Sequence, residues 1–140
     1  MTEVLFVEVT ANRMEMRACE IAERTYVQGD RLQIIAVDPQ QAVRLDSLLW
    51  TFRPDSFVPH GFPEGEKAEI VPPVIITTEE KKIPDFKSLL MLGFCPVDTV
   101  GQFSQVFHLV VADDRERLEA SRHYWTQLRD AGFSLRHQKR

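Results

Sequence analysis

The residues of this 140-residue chain best suited to moving protons or binding metal are His60, His108, His123 and His137, Cys19 and Cys95, and the acidic pairs Glu79-Glu80 and Asp113-Asp114. A metal site or an acid–base pair needs several such groups at close spacing, as in HxxxH or HExxH on one helix face. No such spacing occurs: the histidines are scattered, and neither cysteine has a second Cys or His at ligand spacing. Each cysteine therefore reads as a small buried apolar residue, not as a zinc ligand or half of a disulfide. Glu79-Glu80 reads as part of a solvated loop and Asp113-Asp114 as a helix cap. His60 is the one histidine that stands among unusual neighbours, and a hydrogen-bonded place in a turn suits it better than catalysis. Ser47, Ser56, Ser88, Ser104, Ser121 and Ser134 all lie outside any G-x-S-x-G elbow. The segment EVTANRME after the first apolar run has neither GxGxxG nor GxxxxGK[ST], so it lacks the glycine-rich backbone that cradles phosphates. The sequence offers no catalytic residue, metal ligand or cofactor site.

The elements that would position these residues follow from periodicity and end signals. Glu3 to Val9 (EVLFVEV) reads as an opening strand. Ala11 to Gln28 carries Met14, Ala18, Ile21, Ala22 and Thr25 at helical spacing, and Gly29 supplies the stop. LQIIAV (Leu32 to Val37) reads as a second strand, after which Asp38-Pro39 gives the N-cap and first residue of a helix reaching about Thr51. Shorter apolar runs follow at Ser56 to Pro59, Pro73 to Thr77, Ser88 to Leu92 and Gln105 to Val111. Between them, Phe62 to Lys67 and Thr78 to Phe86 read as loops. A last helix starts at Asp113 or Asp114 and runs to Ala131, where Gly132 ends it and Phe133 can tuck back. This order predicts a three-layer, Rossmann-like α/β fold, with a mixed, mostly parallel sheet flanked by helices and no nucleotide-binding loop.

The bulk numbers agree with one domain spanning residues 1–140: 16.2 kDa, 44% hydrophobic and 27% charged. A formal charge of -4 argues against a broad basic surface for DNA or RNA. No apolar run reaches membrane-spanning length, and MTEVLFVEVT has no signal-peptide character, so a cytoplasmic protein with no membrane contact is expected.

Two helices carry more than core. On the second, Ala42, Leu45, Leu48, Leu49 and Phe52 share one stripe, whereas Trp50 points roughly 140° away from Leu45. Either the segment Phe57 to Phe62 folds over the indole, or Trp50, Phe57 and Pro59 form an exposed apolar patch of the kind that anchors interfaces. On the last helix, Leu118, Ser121, Trp125, Leu128 and Ala131 mark the core side, while Arg115, Arg122 and Arg129 recur every seven residues as a basic ridge. That ridge beside Trp125 suits an acidic peptide ending in an apolar residue. Surface ion pairs with Asp114, Glu116, Glu119 and Asp130 would account for the arginines equally well.

The run RLDSLLWTFRPDSFVPHG (Arg44 to Gly61) resembles the signature of the chi subunit family of bacterial DNA polymerase III: Leu-Asp, then Leu-Trp-Thr-Phe, then Phe-x-Pro-His. All of it is present, as Leu45, Asp46, Leu49, Trp50, Thr51, Phe52, Phe57, Pro59 and His60. CEIAERTYVQGDRLQIIAVDPQQA and SRHYWTQLRDAGF resemble further family segments, so the similarity covers nearly the whole chain. The resemblance implies a noncatalytic accessory subunit with an α/β fold that binds no nucleotide. It implies two partners: the psi subunit of the clamp loader, and the acidic C-terminal tail of single-stranded DNA-binding protein, which ends in Pro-Phe. Nucleic acid would be met only indirectly. Carried over by residue, the psi surface would include Trp50, Phe57, Val58 and Pro59. The tail pocket would include Val111, Leu118, Arg122 and Trp125, with Arg122 on the terminal carboxylate. The family's best-known members carry a lysine in place of Leu118 and a tyrosine in place of Trp125, and the segment from Phe62 to Gln102 matches the family poorly. The alternative from a different class is a small-molecule or nucleotide-binding protein or enzyme on the same Rossmann-like sheet.

Overall fold

The computed structural model describes residues 1–63 and 71–139. Its seven strands are β1 (Glu3–Val9), β2 (Leu32–Ile35), β3 (His60–Gly61), β4 (Val74–Thr77), β5 (Ser88–Met91), β6 (Gln105–Val111) and β7 (Ser134–Gln138). Its helices are α1 (Met14–Val27), α2 (Pro39–Thr51), α3 (Val97–Val100) and α4 (Arg115–Asp130), with a 3-10 turn at Ala11–Arg13 before α1. The strands form one sheet in the order β3-β4-β2-β5-β6-β1-β7. Every pairing among the described residues is parallel, so the sheet lacks the antiparallel component that the sequence suggested.

The central strands are buried on both faces, which explains their continuous apolar runs. On one face, Ala18, Cys19 and Ala22 of α1 and Ala42, Leu45 and Leu49 of α2 pack on Leu32, Ile34, Leu90, Leu109 and Val111. On the other, Tyr124 and Leu128 of α4 and Val100 of α3 pack on Val4, Phe6, Leu89, Val106 and Val110. The chain thus makes three layers. Tyr124 belongs to the core side of α4, while Ala131 is exposed and Leu118 and Trp125 are only partly buried at its flank.

The end signals act as the sequence suggests. Asp38 Oδ1 accepts from Gln41 N at 2.8 Å to cap α2, and Asp114 accepts from Arg117 N at 3.2 Å to cap α4. Gly29 (φ +84°) and Gly132 (φ +92°) take the left-handed conformation just past α1 and α4. After Gly132, the Phe133 N–H donates back to the Leu128 carbonyl at 3.3 Å, and the ring packs on the α4 side of the core.

Three elements depart from expectation. Ser56 to Pro59 forms no strand; pairing starts one residue later, at His60, past a proline that has no N–H to give a ladder. The four-residue α3 and the edge strand β7 were not foreseen, because VDTV is too short for a period and SLRHQ has little apolar pattern. The expected loop from Thr78 to Phe86 contains no helix or strand. Buried Gln33 fastens it, donating to Lys81 O at 2.8 Å and accepting from Ile83 N at 2.9 Å. Of the loop expected over Phe62 to Lys67, residues 64–67 lie outside the described residues.

Candidate functional site

Two surfaces gather the residues singled out above, one on each side of the sheet. At the end of α2, Trp50 is 54% exposed and Phe57 is 65% exposed, with ring centroids 5.9 Å apart. The following segment packs beside the indole and leaves it open to solvent. Two anchors hold this arrangement. Glu23 of α1 pairs with Arg53 at 2.5 Å and accepts from the Ser56 hydroxyl, fixing the turn between Trp50 and Phe57. The fully buried His60 side chain lies tilted against Trp50, ring centroids 4.6 Å apart, and sits between two carbonyls, with Nδ1 2.7 Å from Val58 O and Nε2 3.0 Å from Asp46 O. His60 is thus a strut of the turn. Asp46, the acidic residue of the Leu-Asp step, also places Oδ1 3.3 Å from His60 Nε2.

Val58 does not belong to the exposed patch. It is 1% exposed and sits in the core with Leu45 and Leu49, so its side chain anchors the segment and offers a partner nothing. Alternation explains this: in extended chain, Phe57 and Pro59 face away from the direction Val58 takes. Pro59 is half-buried beside the patch.

The second surface is a groove of about 420 Å³ between α4 and the sheet end. Leu118, Arg122 and Trp125 line it from α4, as the sequence suggested, and Ser121 lies at its base. Phe6 meets Trp125 edge-to-face with centroids 5.0 Å apart. Val111 is not in the groove; its neighbour Val110 is. A single step along β6 reverses the face: Val110 points toward α4, and Val111 into the core under α1 and α2. Phe6, Glu8, Val110 and His137 were missed. Phe6 and Glu8 were legible as the α4-facing alternates of EVLFVEV, whereas His137 depends on the unforeseen β7, where it sits beside Phe6 in register.

The basic ridge is already partly neutralised by its own helix. Arg122 Nη1 pairs with Glu119 Oε1 at 2.6 Å and Arg129 with Asp130 at 3.4 Å, both on exposed side chains. Such pairs contribute under about 1 kcal/mol and exchange readily for a better carboxylate. The groove is therefore an apolar slot with an exposed guanidinium at its rim, suited to a chain end that is both apolar and anionic.

Among the described residues, no group of three or more His, Cys, Asp or Glu could hold a metal ion, and no helix is long and apolar enough to cross a membrane. Burial pushes both thiols up to about 12, helped by Glu15 and Glu20 at Cys19 and by Glu80 at Cys95.

The profile of the family described as DNA polymerase III chi subunit, HolC, matches residues 1–136. The chain is 32% identical over 123 residues to DNA polymerase III subunit chi of Escherichia coli K12, covering 87% of this chain and 82% of that one. It is 33% identical over 118 residues to the subunit chi of Pseudomonas aeruginosa, covering 84% and 80% of the two chains. To the subunit chi of Haemophilus influenzae it is 30% identical over 123 residues, covering 87% and 84%. With the profile matched almost end to end and three relatives similar over most of their length, the chain belongs to the DNA polymerase III chi subunit family of DNA replication.

Proposed function

We propose that this chain is a noncatalytic replisome adaptor of the cytoplasm, a single domain over residues 1–140. It links single-stranded DNA-binding protein to the clamp loader through the psi subunit. The observation that carries this reading is the placement of the two surfaces: the Trp50/Phe57 patch belongs to the α2 side of the sheet and the Arg122/Trp125 groove to the α4 side. Surfaces in opposite layers can be occupied together, as a bridging protein requires. The psi subunit takes the patch through Trp50, Phe57 and Pro59, with Val58 as the buried anchor beneath. The acidic tail ending in Pro-Phe takes the groove, its last ring beside Phe6, Val110 and Trp125 and its terminal carboxylate on Arg122.

Fluorescence anisotropy of a labelled acidic peptide ending in Pro-Phe tests the groove. The charge-assisted contact contributes about 1.5 to 3 kcal/mol, so Arg122→Ala should weaken binding roughly ten- to a hundredfold. Equal binding by both proteins would remove Arg122 from the site, and no binding by either would remove the adaptor reading. Trp50→Ala should leave peptide binding unchanged while costing upward of about 2 kcal/mol in association with a psi subunit.

A further inference from the structure

One buried polar group remains unexplained by the adaptor surfaces. His108 of β6 is 1% exposed, and its Nε2 lies 3.0 Å from Ser121 Oγ. Its Nδ1 is the one buried side-chain nitrogen or oxygen among the described residues that makes no hydrogen bond of good geometry, the main chain of Gly93 standing near the ring without completing one. Native interiors rarely leave such an atom unpaired, because burial takes away its water and returns nothing. His108 lines a separate cavity of about 210 Å³, distinct from both surfaces above except that Ser121 borders it and the groove alike.

The position of that cavity follows from topology. β2 leads into α2 on one face of the sheet, while its neighbour β5 leads toward α3 on the other. Where adjacent parallel strands send their connections to opposite faces, a crevice opens beyond their carboxyl ends, and open α/β sheets bind ligands there. The cavity lies at this place: Val37 follows β2, Leu92 to Phe94 follow β5, and Val111 closes β6. Gly93 leaves room at the mouth, where a Cβ would come within 3.0 Å of Val37 Cγ1. Val37 and Phe94 are 58% and 44% exposed, so the mouth is open to solvent while His108 sits deep.

We propose that this crevice is a binding site for a small uncharged molecule, about one ring in size, with an apolar body and a single hydrogen-bonding head that pairs with His108 Nδ1. The size follows from the volume, since a dry apolar cavity of about 150 Å³ accepts benzene. The apolar body follows from Met14, Leu92, Phe94, Leu109 and Val111 in the lining. Absence of charge follows from the lining and the depth of the ring: Arg117, the one permanently charged side chain there, is exposed and already paired with Asp114 at 3.6 Å, and the buried His108 imidazole, pushed down to about 4 mainly by burial, offers the head a neutral partner. The site needs none of the adaptor contacts and stands whether or not the tail groove is correctly assigned.

Benzyl alcohol and benzamide serve as probes, toluene as the headless control and benzoate as the charged one. The readout is the ring nitrogen spectrum of His108, followed by NMR during titration of the full chain. Both headed probes should move the His108 resonances saturably and bind roughly five- to tenfold more tightly than toluene or benzoate, the effect of one hydrogen bond. Val37→Phe closes the mouth from an exposed position, so its fold is safe, and should weaken all probes by roughly tenfold or more. His108→Phe should abolish the advantage of the headed probes over toluene. His108 resonances that stay fixed up to probe solubility would overturn the site, as would equal binding to Val37→Phe. Tighter binding of benzoate would overturn the assignment of an uncharged ligand.

Discussion

Arg122 Nη1 lies 2.6 Å from Glu119 Oε1, one turn earlier on α4, so the cation at the groove rim is engaged by its own helix before any partner arrives. An incoming carboxylate must displace Glu119 and also sit near its negative charge. Glu119→Gln removes both obstacles. An acidic peptide should bind this variant up to about fivefold more tightly, the scale of one exposed ion pair. The gain should shrink at high salt, because both side chains are more than half exposed. Unchanged affinity at low salt would show that Arg122 does not meet the peptide's carboxylate.

Glu8 Oε2 stands 3.2 Å from His137 Nε2 on the opposite wall of the same groove. A carboxylate there repels an acidic tail passing over it. Glu8→Gln should therefore strengthen peptide binding by a few fold, without the large loss expected of Arg122→Ala. Calorimetric titration of both variants with one peptide checks the opposite signs; weaker binding to Glu8→Gln would place the tail elsewhere.

The legible parts of this molecule were those where local chemistry and tertiary context agree. Asp38-Pro39, Gly29 and Gly132 marked helix ends because their effects lie within a few residues of chain. Trp50 stood apart on a helical wheel because α2 buries one stripe only, and the exposed indole bears this out. The errors came where placement depends on partners distant in sequence. Val111 in place of Val110 is a one-residue error of face, which alternation along β6 could have settled once Val106 was assigned to the α4 side. β7 escaped because an edge strand needs neither apolar face, and its pairing with β1 spans nearly the whole chain.

Leu45 and Trp50 occupy one helix with opposite roles. Leu45 is fully buried, so Leu45→Ala should cost about 2 to 5 kcal/mol of folding stability. Trp50 is about half exposed and should cost clearly less when truncated, despite its greater size. Urea unfolding of the two variants separates these values. A larger loss at Trp50 would assign the indole to the core and leave the docking patch without its anchor.

Cys19 faces the sheet from α1 and Cys95 lies on the α4 side, so the sheet separates them and no disulfide can form within the fold. With both thiols pushed up to about 12, the thiolate fraction at pH 8 is on the order of 10⁻⁴. Native protein at pH 8 should be nearly inert to a thiol reagent, with both cysteines reacting fully in urea. Rapid modification of one thiol under native conditions would show that its part of the core opens readily.

His108 makes folding depend on pH in a window set by its own shift. Its imidazole, ordinarily near 6.5, is pushed down to about 4, mainly by burial. Between these values the unfolded chain binds a proton that the folded chain excludes, so acid draws the equilibrium toward unfolding. The stability gained by keeping His108 neutral is fully present above pH 6.5, falls as pH drops, and is gone near pH 4, a change of about 3 kcal/mol. His108→Phe keeps a ring but cannot take up the proton, so its stability should decline less over the same interval, whatever its stability at pH 7. Urea midpoints measured at several pH values for both proteins give the two slopes. Parallel profiles would mean that His108 reaches water in the folded state, and that its Nδ1 is not the unpaired buried atom the cavity requires.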